Sequence, residues 1–332
     1  RVDSFVAERL AVEAGPAPGP LRPGQPMEIP VTARFLYGAP GSGLSGSAEL
    51  RLTTQRSPFE RWRDFRFGLE EESFAPDLIQ AELPETDADG RAVLRLELPS
   101  APDTTRPLRG ELTVLVEEPG GRASRATLDL AVAAQPRFLG LAAPAAVDAG
   151  AEAAIQVIMT DAEGNPLAGE VNLRLVRERP DWRIVVRGGT PRYETVWTDE
   201  PVDSTPIRLT GTEPGRFTRT LPFGRYRLEA QEAGGMALAS IRFRSGWVAS
   251  ESAEVPDRVD VATDRASYAP GETVTLRITP PFAGRAAVAV LTDRLLSLRE
   301  MEVPEAGAEI TLPADEAWGA GAYVAVTVFR PE

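Results

Sequence analysis

Five segments of the sequence contain residue types that could support chemistry. GSGLSG (41–46) resembles a phosphate-binding loop, and DADG (87–90) and DAEGN (161–165) resemble the start of a calcium loop. Glu70 to Glu72 form a run of carboxylates that could act as an acid–base pair. Residues 177–200 mix arginines with aromatic residues, as single-stranded nucleic-acid binders do.

The composition excludes most of this chemistry. The chain has 332 residues with no histidine and no cysteine, and all 36 of its Lys+Arg residues are arginine. It therefore lacks an imidazole base, a thiolate, a Schiff-base lysine and the lysine of a phosphate-binding loop. The net charge of −13 disfavours nucleic-acid binding, because phosphate affinity needs concentrated positive charge. The sequence therefore predicts a protein that is not an enzyme, with no catalytic, metal or cofactor-binding residues, no cofactor and no nucleic-acid partner.

Each segment also has a simpler structural interpretation. Residues 41–46 lack the Gly-Lys-Ser/Thr ending and are predicted to form a hairpin loop. Residues 87–90 and 161–165 lack the later calcium ligands and are predicted to be tight turns. Glu70 to Glu72 are expected to be solvated on an exposed segment. Residues 177–200 are predicted to form a long twisted hairpin in which arginine stems cover aromatic faces, including those of Trp182, Tyr193 and Trp197.

The elements around these segments are predicted to be strands. In DRASYAPGETVTLRI (264–278), Val274, Leu276 and Ile278 alternate with polar residues, which is the two-residue period of a half-buried strand. Pro270-Gly271 fits the centre of a type II turn just before this strand. Similar turn-then-strand segments occur at Pro23-Gly24 and Ala149-Gly150.

The nearly constant spacing of these turns indicates tandem domains. We predict all-β, fibronectin III-like or Ig-like antiparallel sandwiches at residues 1–134, 135–250 and 257–332, with a linker at 250–256. The third is predicted to lack its last strand. The first residues lack the pattern of a signal peptide, so either a signal has been removed or, as we prefer, the chain begins inside a longer protein. No apolar run approaches the ~20 residues of a membrane helix.

The first domain contains an unusual insertion near 57–78. It carries Phe59, Trp62, Phe65 and Phe67, and Glu70 to Ser73 could form a short helix. The preferred interpretation is a decoration that packs its aromatic side chains on its own sheet. The alternative is a contact face for a neighbouring domain.

Six segments are specific together through their order and spacing: TARFLYGAPGSGLSG (32–46), LRLVRERPDWRIV (173–185), FGRYRLEA (223–230), SIRFRSGW (240–247), VPDRVDVATDRASYAPGETVTLRITPPFAGRAAVAV (255–290) and AWGAGAYVAVTVFRPE (317–332). They resemble the bacterial alpha-2-macroglobulin family. The resemblance extends over essentially the whole chain and implies three macroglobulin-like β-sandwich domains.

The resemblance also implies a function. Members of this family are large protease traps: a protease cuts an exposed bait segment, the molecule rearranges around it, and in many members a Cys-Gly-Glu-Gln thioester captures the attacker. A chain without cysteine contains no thioester, and we expect both bait and thioester to lie outside it. The implied role is a non-catalytic scaffold whose partners are neighbouring domains of the same chain and, through the whole inhibitor, proteases.

The family also implies a location in the periplasm. The parent protein would be a lipoprotein of the inner membrane, held there only through an N-terminal lipid anchor. Two alternatives remain at this point: an Ig-like adhesin or surface-display stalk, and a carbohydrate-binding or hydrolytic sandwich.

Overall fold

The computed structural model describes residues 9–187, 190–247 and 258–330, with backbone only for residues 180–187 and 190–195. The described residues form β-strands and two short 3₁₀-helices, which confirms the all-β prediction. The linker predicted at 250–256 lies outside the described residues. Within the described residues, no helix is long and apolar enough to cross a membrane.

Within residues 9–134, the first unit has eight strands and one 3₁₀-helix at Glu60–Trp62. The strands are β1 (Leu10–Ala14), β2 (Met27–Phe35), β3 (Gly46–Thr54), β4 (Arg66–Phe67), β5 (Asp77–Leu83), β6 (Arg91–Leu96), β7 (Leu108–Glu118) and β8 (Arg122–Val132).

The second unit also contains eight strands. They are β9 (Phe138–Ala142), β10 (Ala146–Val147), β11 (Glu152–Thr160), β12 (Ala168–Arg187), β13 (Thr190–Thr210), β14 (Gly215–Thr220), β15 (Gly224–Glu232) and β16 (Leu238–Ser245).

In the described residues 258–330, the third unit has six strands and a 3₁₀-helix at Glu316–Trp318. The strands are β17 (Asp260–Thr263), β18 (Thr273–Thr279), β19 (Gly284–Leu291), β20 (Leu295–Val303), β21 (Ala308–Pro313) and β22 (Tyr323–Phe329).

The three units share one arrangement of strands. One sheet has the order β1-β2-β6 in the first unit, β9-β11-β14 in the second and β17-β18-β21 in the third. The facing sheet has the order β5-β3-β7-β8, then β13-β12-β15-β16, then β20-β19-β22. These pairings are antiparallel, while the short strand β10 adds to β16 in parallel.

Local sequence explains the strands and their turns. In β2, exposed residues alternate with the buried residues Ile29, Val31 and Ala33, which is the two-residue period of a strand with one buried face. Before β18, Gly271 has a φ of +88°, and the Glu272 amide donates to the Ala269 carbonyl at 3.1 Å. Hydrogen bonds of the same type close the turns before β2 and β11, so the repeated turn-then-strand prediction is confirmed.

Each unit has its own apolar core between its two sheets. The core of the first is built around Leu50 and Leu94, that of the second around Ile155 and Leu228, and that of the third around Leu276. Side chains from both sheets of a unit meet in each core, which is the packing of a β-sandwich.

The loops at the candidate phosphate and calcium motifs are connections between sheets. Residues 41–46 join β2 to β3, which lie in different sheets, so the hairpin predicted there is wrong although no helix follows. The Asp87 carboxylate accepts hydrogen bonds from the amides of Asp89 and Arg91, both at 2.9 Å. The Asp161 carboxylate binds two amides and the Asn165 side chain in the same way, so the tight turns are confirmed.

The long hairpin predicted at 177–200 is confirmed. Strands β12 and β13 pair with each other from Ala168 and Thr210 to Arg187 and Thr190. Strand β15 pairs with β12 only through Glu178, so the hairpin extends beyond the sandwich. The arginine that covers Trp197 is Arg225 of β15, 4.2 Å from the ring centre. The side chains of Trp182 and Tyr193 lie outside the described residues.

Candidate functional site: the contact between the first two units

A segment of the first unit crosses to the second between β3 and β5. We call residues 57–72 the clasp. Its strand β4 pairs with β9, with Arg66 opposite Leu141 and Phe67 opposite Gly140. The first unit therefore supplies the edge strand of a sheet in the second unit. The preferred interpretation of the insertion as a decoration on its own sheet is wrong, and the alternative of a domain contact is correct.

The aromatic side chains of the clasp form a fourth apolar cluster. Trp62, Phe65 and Phe67 are buried together with Phe138 and Ile158 of the second unit. Their rings pack edge to face, with centres 5.6 Å apart for Trp62 and Phe65. Burial of each such side chain stabilises the contact by roughly 1.5–3 kcal/mol. A small core therefore joins the two units.

Two glycines of the second unit make room for these rings. A Cβ on Gly140 would lie 2.8 Å from the Phe67 ring, and one on Gly164 would lie 2.5 Å from Phe59. Gly164 also has a φ of +86°, which side chains rarely tolerate. Its carbonyl accepts a hydrogen bond from the Trp62 indole at 2.9 Å. The turn at 161–165 therefore forms part of the surface on which the clasp packs.

Polar contacts hold the clasp on the first unit. The buried Arg106 guanidinium donates to the carbonyls of Leu69 and Glu70, at 2.6–3.0 Å. The Glu72 carboxylate accepts hydrogen bonds from Thr105, at 2.8 Å from its amide and 2.5 Å from its hydroxyl, and a further one from the Thr104 hydroxyl. These hydrogen bonds hold the C-terminal end of the clasp on the first unit.

The carboxylates of the clasp bind the outer face of β16. The Glu70 carboxylate accepts a hydrogen bond from the Arg242 amide at 2.7 Å, and Glu71 accepts one from the Ser240 hydroxyl at 2.8 Å. The Glu70 amide in turn donates to the Ser240 hydroxyl at 2.8 Å. The expectation of a solvated run is therefore wrong, although Glu71 itself stays largely exposed. The short helix suggested at Glu70–Ser73 is also wrong, because Glu70 and Glu71 form a turn and the 3₁₀-helix of this segment lies at 60–62.

An ion-pair cluster lies behind this contact. The Glu178 carboxylate is only 1% exposed and binds three guanidinium groups: Arg225 at 2.7 Å, Arg227 at 2.5 Å and Arg242 at 2.9 Å. Arg242 also approaches Glu71 at 3.7 Å, so it links the clasp to the base of the long hairpin.

The same cluster determines the ionisation of Arg227. Burial lowers the pKa of its guanidinium, but hydrogen bonds to Glu229, Asp199 and Glu178 outweigh burial and raise the pKa. The charge of Arg227 is therefore permanent, and it balances the acidic groups at the foot of the hairpin.

The contact between the second and third units is smaller. The backbone of Trp247 pairs with that of Thr263 through two hydrogen bonds of 2.7 Å. The Ala149 amide donates to the Asp264 carbonyl at 3.0 Å, and within the second unit the Trp247 indole donates to Asp148 at 2.8 Å. None of the core clusters found in the described ranges includes residues of both units.

The arrangement is suited to holding domains in place. The described residues contain no group of three acidic side chains that could hold a metal ion. The clasp aromatics and Glu70 to Glu72, which are candidates from the sequence, meet at one interface in the structure. The roles of Ser240, Arg242 and Glu178 cannot be predicted from the sequence, because no local pattern connects residues so distant in the chain.

Comparison with known families gives one match for each unit. Residues 8–134 match the family described as Bacterial Alpha-2-macroglobulin MG5 domain, and residues 140–247 match Bacterial macroglobulin domain 6. Residues 259–332 match the Alpha-2-macroglobulin bait region domain. The last match corrects the expectation that the bait lies outside the chain, because residues of the domain named for it are present.

Comparison with individual proteins indicates the same family. The alpha-2-macroglobulin of Escherichia coli K12 is 27% identical over 99% of this chain, which covers 21% of that protein. The chain thus spans about a fifth of the length of this relative. The structure of Escherichia coli alpha-2-macroglobulin in its native conformation aligns over 99% of this chain and 22% of the other, with 25% identity and a TM-score of 0.58. The trypsin-activated protein shares the fold, with 24% identity over 98% of this chain and 24% of the other and a TM-score of 0.51.

Proposed function

This chain belongs to the bacterial alpha-2-macroglobulin family, and on that premise we propose that it is a non-catalytic scaffold segment of a protease-trapping inhibitor. The segment holds the domain named for the bait at a defined position relative to the two domains before it. This chain contains no cysteine, so a thioester of the inhibitor would have to lie in another part of the protein.

The clasp is the observation that carries this proposal. A trap must keep its domains in order until a protease arrives, and β4 with its aromatic cluster joins two sandwiches through a shared sheet and a shared core. By contrast, the third unit is attached through a few backbone hydrogen bonds, so it can move while the first two remain together. The ordered family matches favour this function over a surface-display stalk.

A chimera tests the proposal. This chain would replace the aligned residues of Escherichia coli alpha-2-macroglobulin, whose trypsin-activated form is known. We expect the chimera to protect a large protein substrate from trypsin while a small peptide substrate is still cut, since a trapped protease keeps an open active site. The chain alone should not slow trypsin on either substrate.

The control for this experiment is a second chimera with Phe67→Ala in the clasp. It should fold but protect the protein substrate less well, because its first two domains are no longer fixed together. A first chimera that folds, as judged by circular dichroism and size exclusion, yet gives no protection would refute the proposed function.

We further propose that the whole inhibitor is periplasmic and is held at the inner membrane by a lipid anchor outside this chain. The resemblance to the family supports this proposal, because an inhibitor in the periplasm would meet foreign proteases as they enter the cell envelope. Fractionation of the native host checks it: the protein should be found with the inner membrane and be released by detergent. Its recovery in the cytoplasmic fraction would contradict the proposed location.

A further inference from the structure

The long hairpin of the second unit stands on a narrow base. Strand β12 pairs with both β13 and β15 as far as Glu178. Beyond that residue, and within the described part of the chain, β12 and β13 pair only with each other, ending at Arg187 and Thr190. A two-stranded ribbon is only marginally stable by itself, so its order depends on the contacts at its base.

Arginines of β15 hold both strands of the hairpin at this base. Glu178 of β12 lies directly opposite Asp199 of β13, and the Arg227 guanidinium contacts both carboxylates, at 2.5 Å for Glu178. The Arg225 guanidinium binds Glu178 at 2.7 Å and lies over the ring of Trp197 of β13. Because the Glu178 carboxylate is buried, solvent ions screen these pairs little.

Arg242 of β16 connects this base to the clasp. Its Nε donates to the two carboxylate oxygens of Glu178 at 2.9 and 3.1 Å. Its backbone amide donates to the Glu70 carboxylate at 2.7 Å, and its guanidinium lies 3.7 Å from the Glu71 carboxylate. One residue therefore contacts the clasp on one side and the hairpin base on the other.

The position of the Arg242 side chain depends on the acidic groups on both sides of it. Arg242 lies directly opposite Arg227 in the pairing of β15 with β16, and like charges in this relation repel each other. Glu178 binds both guanidinium groups and offsets this repulsion. Glu71 attracts the Arg242 guanidinium from the side of the clasp.

The clasp also fixes β16 two residues before Arg242. The amide of the buried Ser240 donates to the Gly68 carbonyl at 3.1 Å. The Ser240 hydroxyl accepts a hydrogen bond from the Glu70 amide and donates one to the Glu71 carboxylate, both at 2.8 Å. If the clasp left this strand, all of these bonds would break together, and β16 would be free to shift at Arg242.

We propose that docking of the clasp orders the base of the long hairpin and that Arg242 transmits this effect. With the clasp docked, β16 holds Arg242 where it binds Glu178. Without the clasp, Arg242 loses Glu70 and Glu71, and its hold on the hairpin base weakens. Because such coupling is reciprocal, a disordered hairpin base would also weaken the clasp. This inference goes beyond the proposed function, which assigns no role to the hairpin.

Hydrogen exchange of the whole chain tests the coupling. Phe67→Ala removes a clasp ring that packs at Gly140 of β9, in the sheet opposite the hairpin. We expect the amides at the hairpin base, in residues 176–179 and 196–200, to exchange at least about fivefold faster in this variant, the lower end of the usual coupling between sites. Strand β14, at the far edge of the opposite sheet from the clasp, is the internal reference and should change less.

The same substitution is then made in a chain that carries Arg242→Gln. We expect the hairpin base of this chain to exchange faster from the start, and Phe67→Ala to change it further by less than about twofold, which is within the usual error of additivity. The matched background is Arg174→Gln, which breaks a more exposed pair with Glu229 and leaves Arg242 in place. In that background Phe67→Ala should keep its full effect.

Ser240→Ala is a second and milder variant, which keeps every arginine of the cluster. It removes the hydroxyl that binds the clasp from β16. We expect it to accelerate exchange at the hairpin base more than in β14, as Phe67→Ala does.

Two results would overturn the proposal. Unchanged exchange at the hairpin base in both Phe67→Ala and Ser240→Ala would show that the base is ordered without the clasp. An equal effect of Phe67→Ala with and without Arg242 would show that the clasp acts through the fold of the second unit and not through this arginine. Neither result involves a protease, so the proposed function is tested separately by the chimera.

Discussion

At the scale of single residues, the contact between the first two units depends on one glycine and one carboxylate. Gly164 combines a positive φ with the absence of a side chain where Phe59 lies. Glu178 balances three arginines in a buried position. Both residues lie on strands or turns whose sequences contain no sign of these roles.

Gly164→Ala should destabilise the chain by about 2–5 kcal/mol. The left-handed backbone costs about 1–2 kcal/mol for alanine, and the clash with Phe59 adds about 1–3 kcal/mol. The matched control is Gly150→Ala, because Gly150 has a similar φ of +77° but no atom within 4 Å of an added Cβ. Denaturant unfolding of both variants measures the difference, and equal losses would mean that Phe59 does not press on this turn.

Glu178→Gln should cost about 3–5 kcal/mol, because it leaves three guanidinium groups without their shared carboxylate in a buried site. The control is Glu170→Gln, which breaks an exposed pair with Arg208 and should change stability by less than about 1 kcal/mol. Thermal unfolding monitored by tryptophan fluorescence measures both. A loss for Glu178→Gln as small as that of the control would show that solvent already screens the cluster.

At the scale of elements, the clasp converts two sandwiches into one body. Its strand β4 has only two residues, so backbone pairing alone could not hold the domains. The adjoining rings and the hydrogen bonds that the carboxylates of Glu70 and Glu71 accept from β16 supply the rest. The contact is therefore strongest where backbone, apolar and polar interactions coincide.

Phe67→Ala should weaken this element by about 3–5 kcal/mol, the usual loss for a buried phenylalanine. We expect hydrogen exchange to accelerate in β9 of the second unit, although the substitution lies in the first. Leu50→Ala is the control, because it removes a fully buried side chain from the first unit's own core. If β9 exchanges no faster in Phe67→Ala than in Leu50→Ala, then the clasp does not support the second unit.

At the scale of the whole molecule, the three units are joined by two contacts of different strength. The first joins sheets and shares a core, while the second consists of hydrogen bonds around Trp247, Thr263 and Asp264. Motion within the chain is therefore expected between the second and third units.

Calorimetry of the whole chain should accordingly show two transitions. One belongs to the third unit and the other to the first two units together, because a shared core couples their unfolding. Phe67→Ala should split the second transition into two and leave the transition of the third unit unchanged. A single transition that includes the third unit would show that the Trp247 contact is stronger than its hydrogen bonds suggest.

The sequence by itself determined the strands, the turns before β2, β11 and β18, the repetition of one module and the family. These features are local, because alternation and turn chemistry depend on residues close together in the chain. Only the tertiary structure decided that Phe67 pairs beside Gly140, that Glu70 binds β16 and that Glu178 gathers three arginines. The physical reason is that an aromatic or charged residue near a strand can pack against, or form hydrogen bonds with, any sheet edge within its reach. Which edge it joins depends on contacts between residues far apart in the sequence.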